Sequence, residues 1–206
     1  MPGLREQKKQ FTRQAISEAA IALFLEAGYE QTSVAAVAAA AGVSRRTLFS
    51  YFPAKEDLVL HRVADHEGEA ARVVRARPAR WTPLAALRAH FLAGLDRRDP
   101  VTGLCDDADV LALYRLINAN PVLTNGLQAL RRRDAALLAD ALRETTNADV
   151  LPARLAAAQF ATTQHLLADD NVRHLGAGRS ADERHPGAVA DAEVAFGLLR
   201  NGLRKF

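Results

Sequence analysis

Arg45, Arg46, Thr47, Ser50, Tyr51 and Lys55 stand close together near the start of the chain. A guanidinium can pair with both acceptors of a guanine, and a threonine can touch a thymine methyl. Tyr51 and Lys55 suit phosphate oxygens. Thr32, Ser33 and Ser44 add hydroxyls at points where helices would begin, and helix N-termini favour phosphates. Together these residues describe a surface that could read double-stranded DNA. Taken alone, an Arg-Arg pair is equally a solvated basic face. The elements that carry the pair must decide.

Other groups point to less. Arg131, Arg132 and Arg133 would spread around more than half of a helix, so a solvated face is favoured over a phosphate site. His165 and Asp169 are four apart, but two ligands do not make a metal site. His61 and His66 are five apart and share no helical face. All four read as core or surface residues, and no metal or cofactor is expected. There is no HExxH, no GxSxG and no phosphate-binding glycine loop, so an enzyme has nothing to stand on. Tyr114, Asn118 and Gln128 sit beside Leu113, Ile117 and Leu127. They are candidate polar contacts in an apolar pocket, although surface polarity or satisfied core hydrogen bonds explain each of them as well.

The elements follow from punctuation. Ile16, Ala20, Leu23, Phe24 and Ala27 recur on one face of a 3.6-residue period, and Gly28 ends that helix. Residues 1–10 are polar and are expected to fray. Ser33 caps a short helix over residues 34–40. Gly42 supplies a turn, and Ser44 caps a third helix from Arg45 to about Phe52, which Pro53 closes. Two short helices around a glycine outline a helix-turn-helix. The small Ala38 allows a steep crossing, and Val34, Val37, Val43 and Leu48 can seat the pair on the first helix. At the start of the third helix, Arg45 and Arg46 favour base or backbone contact over a bland basic face.

Residues 11–58 resemble the N-terminal domain of the TetR family of transcriptional regulators. The carrying stretches are Ala19–Phe24, Gly28-Tyr29, Thr32-Ser33-Val34, Ala41–Ser44, Thr47-Leu48-Phe49, Tyr51-Phe52 and Lys55–Leu58. The resemblance implies an all-α homodimer in which a ligand in a variable C-terminal domain changes operator affinity. Three positions depart from the family pattern. Arg46 replaces a small residue, Phe49 a tyrosine, and Ala54 a polar cap. The stretch Ala112–Pro121 is similar to a subgroup described as binding acyl-CoA-like ligands. That suggests an acyl-CoA-like effector, with Arg131–Arg133 as candidates for its phosphates.

The remaining sequence fits this frame. Alanine occurs 42 times in 206 residues, and no alternating β-branched runs appear, which predicts an all-α protein. There are 23 Arg and 4 Lys, but the net charge is only +3, so any positive field is local. A helix is expected from near Ala54 to about Arg77 with an interruption at Gly68. Further helices are expected from Pro83 to near Arg98, from about Val110 to Asn118, and over 122–143, 151–168 and 188–204. A loop is expected at 174–187. Leu151, Leu155, Ala158, Thr162 and Leu166, with Val194, Leu198, Asn201 and Gly202, would pair two chains in a four-helix bundle. We expect a DNA-binding domain over 1–58 and a helical ligand-binding and dimerisation domain over 59–206. The expected function is a ligand-released repressor on a palindromic operator; the alternative is an all-α ligand-binding or adaptor protein without operator binding. The lone Cys105, the polar N-terminus and the absence of a long apolar run predict a cytoplasmic protein with no membrane association.

Overall fold

The computed structural model describes residues 3–202. Ten α-helices account for the regular structure of these residues, with one 3-10 turn at Pro100–Thr102. They group into two compact units. The first joins residues 1–65 to residues 112–128, and the second joins 66–111 to 129–206.

In the first unit, α1 (Leu4–Ala27) begins earlier than its apolar periodicity suggests. Glu6, Gln7, Lys8, Lys9 and Gln10 are good helix formers, so these turns are helical without a buried face. Ile16, Ala20 and Phe24 form the buried stripe, while Leu23 is half-buried and Ala27 exposed. The buried Ser17 donates its hydroxyl to the Leu58 carbonyl at 2.8 Å. α2 (Val34–Ala40) and α3 (Arg45–Tyr51) fall where the caps place them. Between them the Gly42 N–H reaches the Ala39 carbonyl and the Val43 N–H reaches the Ala38 carbonyl. That pattern demands a left-handed residue, and Gly42 has φ +66°. Val37, Ala38 and Leu48 are buried; Val34 and Val43 are half-buried.

The long helix expected over 54–77 is two helices, α4 (Asp57–Ala64) and α5 (Glu69–Ala76). Gly68 between them adopts φ +75°, and its N–H donates to Asp134 Oδ1 at 2.7 Å. A left-handed residue cannot continue an α-helix, so the interruption becomes a break. α6 (Pro83–Asp96) starts with Pro83 in its first turn, capped by Thr82, as the sequence indicates. α7 (Ala108–Ala119) and α8 (Pro121–Thr146) follow, and each contributes to both units.

The last two helices differ from expectation. α9 runs Val150–Gly176 and α10 runs Ala181–Asn201, so the loop expected at 174–187 is only a short turn. Ser180 and Glu183 form a reciprocal capping box that starts α10 upstream of Pro186. Within this stretch Arg184 is buried through pairing. Arg184 donates Nε to Asn171 Oδ1 at 2.9 Å and Nη2 to Asp170 and Asp191 at 2.9 and 2.5 Å. Asn171 in turn donates to the Thr102 carbonyl at 2.9 Å. Leu87, Phe91, Leu95, Leu138, Phe160 and Phe196 centre the second unit's core. Residues 203–206, where the last helix was expected to end, lie outside the described residues.

Candidate functional site

The helix-turn-helix is locally determined. Ser33 Oγ accepts the Ala36 N–H at 3.1 Å, and Ser44 Oγ accepts the Thr47 N–H at 3.0 Å. Each satisfies one donor that a helix start leaves free. α3 buries Leu48, with Phe52 buried just beyond its end, and presents Arg45, Arg46, Phe49 and Ser50 to solvent. Arg45 and Phe49 are four apart, as are Arg46 and Ser50, so two adjacent stripes face outward. Neither arginine makes an ion pair or a side-chain hydrogen bond among the described residues. Two guanidiniums thus stand free beside an exposed ring that is 41% accessible. In the sequence Phe49 stands out only as a departure from the family pattern; a large exposed apolar side chain on α3 marks it as part of the surface.

Other candidates have internal partners. Lys55 donates Nζ to the Tyr29 carbonyl and lies 4.3 Å from the Tyr29 ring centre and 5.5 Å from that of Phe24. It braces the turn after α1. Thr32 is buried, and its hydroxyl is engaged with the Gly28 and Leu23 carbonyls at 2.8 and 3.2 Å. It therefore holds the same turn and offers no outward hydroxyl. Ser50 donates to the Thr47 carbonyl, and the Ser44 and Thr47 hydroxyls share a hydrogen bond. Tyr51 is half-buried. Burial, with Glu56, Glu30 and Asp57 nearby, pushes the Tyr29 phenol up to about 12.

The histidines do not converge. His61 is buried edge-on to Phe52 at 5.2 Å between centres, and burial lowers its pKa. His66 pairs with Glu69 at 3.0 Å. Burial, reinforced by Arg131, lowers His165 to about 4. Among the described residues no group of three His, Cys, Asp or Glu is arranged to hold a metal. Arg131 lies 3.8 Å from Asp169 and Arg133 2.9 Å from Glu67, while Arg132 is exposed.

The second unit contains a cavity of about 230 Å³. The start of α6, the end of α8, the first half of α9 and the end of α10 enclose it, through residues that include Leu84, Leu87, Leu138, Leu142, Phe160 and Leu199. Its polar lining is Thr82 and Gln159. Tyr114, Asn118 and Gln128 do not line it and belong to the first unit, where Tyr114 is half-buried and the other two are exposed. Asn120, not among those three, is the buried polar residue of that region. Its Nδ2 donates to Glu30 at 3.2 Å and its Oδ1 caps α8.

Residues 16–61 match the family described as bacterial regulatory proteins, tetR family. The regulator TcmR of Streptomyces glaucescens is 37% identical over 123 residues, covering 59% of this chain and 54% of TcmR. The regulator RutR of Escherichia coli K12 is 29% identical over 170 residues, covering 79% of this chain and 77% of RutR. The chain is similar to TetR-family regulators, and residues 16–61 carry the match to that family. A solved structure of FadR from Bacillus subtilis, in complex with stearoyl-CoA, shares the fold at TM-score 0.55 and 19% identity, covering 92% of this chain and 98% of FadR. TetR proteins bind operator DNA, form dimers and bind small molecules. The matched segment ends at His61, so it contains α2, α3 and the turn that Lys55 braces, and it stops short of the break at Gly68. No helix among the described residues is long and apolar enough to cross a membrane.

Proposed function

We propose that this chain is a DNA-binding transcriptional regulator that acts in the cytoplasm as a homodimer on a palindromic operator, and that a small molecule releases it as a repressor. The observation that carries the reading is α3: a capped helix whose first two residues, Arg45 and Arg46, are exposed and have no ion-pair partner among the described residues. Arg45 or Arg46 reads a base, Phe49 offers an apolar contact to a thymine methyl, and Ser33, Ser44, Thr47, Ser50 and Tyr51 border the phosphates. The reading head is the segment 1–58, and residues 59–206 carry the effector site and the dimer face.

Pairing is supported by the exposed apolar residues of the last two helices. Leu151, Leu155 and Leu166 on α9 are 63, 53 and 65% exposed, and Val194 on α10 is 65% exposed. Such a stripe gains by burial against a second copy, and an operator with two half-sites matches a two-fold dimer. An acyl-CoA-like effector is the competing reading, supported by the stretch Ala112–Pro121 and by the stearoyl-CoA named with FadR and opposed by the uncharged described lining of the second unit's cavity. Its phosphates would then compete for Arg131 and Arg133 with Asp169 and Glu67.

Selection of bound DNA from a random pool tests the regulator reading. Recovery of one palindrome, with binding that weakens steeply as salt rises, is the expected result. Recovery of no sequence preference would favour the adaptor reading instead.

A further inference from the structure

We infer that the cavity of the second unit is a site for a compact, uncharged, mainly apolar molecule carrying one neutral polar group, which Gln159 receives at the rim. The inference rests on the regulator reading for its role as effector site, and on the lining for its chemistry. Among the described residues no charged side chain lines the cavity. On the helices that enclose it, Arg88 of α6 is paired with Glu193 of α10. An ionised carboxylate or phosphate brought among Leu84, Leu87, Leu138, Leu142 and Phe160 would lose water without gaining a counter-ion.

The polar groups define the rest of the ligand. Thr82 Oγ1 already accepts the Ala85 N–H as the cap of α6. Gln159 is exposed and makes no side-chain hydrogen bond among the described residues, so its amide has both a donor and an acceptor to offer. A hydroxyl, a carbonyl or an amide on the ligand can use either. The volume, about 230 Å³, is below the roughly 300–1,000 Å³ of drug-sized clefts, which sets a compact molecule. A CoA nucleotide would meet no cation among the described lining residues.

The test titrates the full-length chain with three probes that share one tail, octan-1-ol, octanoate and octanoyl-CoA, by calorimetry at pH 7.5. Octanol is expected to bind at least tenfold more tightly than octanoate, and octanoyl-CoA no better than octanoate. Leu142→Trp fills the cavity from a half-buried position and should abolish octanol binding with far-UV circular dichroism unchanged. Gln159→Lys changes only an exposed residue and should invert the preference, so that octanoate binds more tightly than octanol. Octanoate or octanoyl-CoA binding as well as octanol to the unaltered chain would overturn the inference, as would failure of octanol to bind or an unchanged preference in Gln159→Lys. Operator affinity of the unliganded chain is measured separately. Sequence-specific DNA binding without octanol binding overturns the ligand assignment alone; octanol binding by a chain that reads no DNA sequence overturns the regulator reading alone.

Discussion

Arg45 and Arg46 differ from Lys55 and Arg62 near α3 in having no ion pair or side-chain hydrogen bond among the described residues. Lys55 has the Tyr29 carbonyl and two rings, and Arg62 has Glu18 at 3.8 Å. Arg45→Ala and Arg46→Ala should therefore leave stability nearly unchanged. Whichever residue reads a base should relax preference at that position by about 1–3 kcal/mol, seen in competition between operator variants. Lys55→Met should behave in the opposite way. Losing a charged hydrogen bond and a cation–ring contact should cost about 1–2 kcal/mol of stability, read from the urea midpoint, with little change in operator preference. His165 makes a pH-dependent contribution. Folded, its pKa is about 4; unfolded, it returns to the ordinary 6.5. Between these values the unfolded chain holds more protons, so the stability present above pH 6.5 is lost as pH falls toward 4. The buried His61 acts in the same direction. For His165 the loss is at most about 3 kcal/mol. Urea midpoints at pH 7.5 and pH 5 should converge in His165→Gln relative to the unaltered chain.

At the scale of elements, the break between α4 and α5 is set by one backbone conformation and one carboxylate. A side chain at Gly68 would have to adopt φ +75°, which costs about 1–2 kcal/mol. Gly68→Ala should lower stability by that amount. Asp134 is partly buried, and this desolvation raises its pKa while the Gly68 N–H opposes the rise. Asp134→Ala leaves that N–H without its acceptor and should cost about 1–3 kcal/mol, whereas Asp134→Asn keeps an acceptor and should cost less. Thermal unfolding of the three variants orders them. If Asp134→Asn proved as damaging as Asp134→Ala, charge and not the hydrogen bond would be what holds the break.

At the scale of the whole molecule, α9 and α10 expose more apolar surface than a solitary chain needs. Leu155 is 53% exposed, so Leu155→Glu should fold as well as the unaltered chain. In a dimer it would place two carboxylates in the pairing face. Light scattering at micromolar concentration should then report one chain mass in place of two. Operator affinity should fall on the order of 100-fold or more, because two linked half-site contacts become one. A dimer that survives this substitution would place the pairing face elsewhere.

The sequence by itself determined whatever depends on neighbours a few residues away. Ser33, Ser44 and Thr82 cap helices through N–H groups three residues on, and at Gly42 the chain turns through the Gly42 N–H to Ala39 and the Val43 N–H to Ala38. That is why α2, α3 and the surface carrying Arg45 and Arg46 were legible. The roles of Thr32 and Lys55 were not, because their partners depend on how the turn after α1 meets α4. The break at Gly68 needed Asp134, distant in sequence, to accept its N–H. Residues 174–187 read as a loop because they are polar, yet Arg184 is buried against Asp170, Asn171 and Asp191. Tyr114, Asn118 and Gln128 had the composition of pocket residues. Tertiary packing leaves a cavity beside Leu142, Phe160 and Gln159, which composition did not single out together. Periodicity tells which face of a helix is apolar; only the assembled helices decide where that face meets another and where it meets nothing.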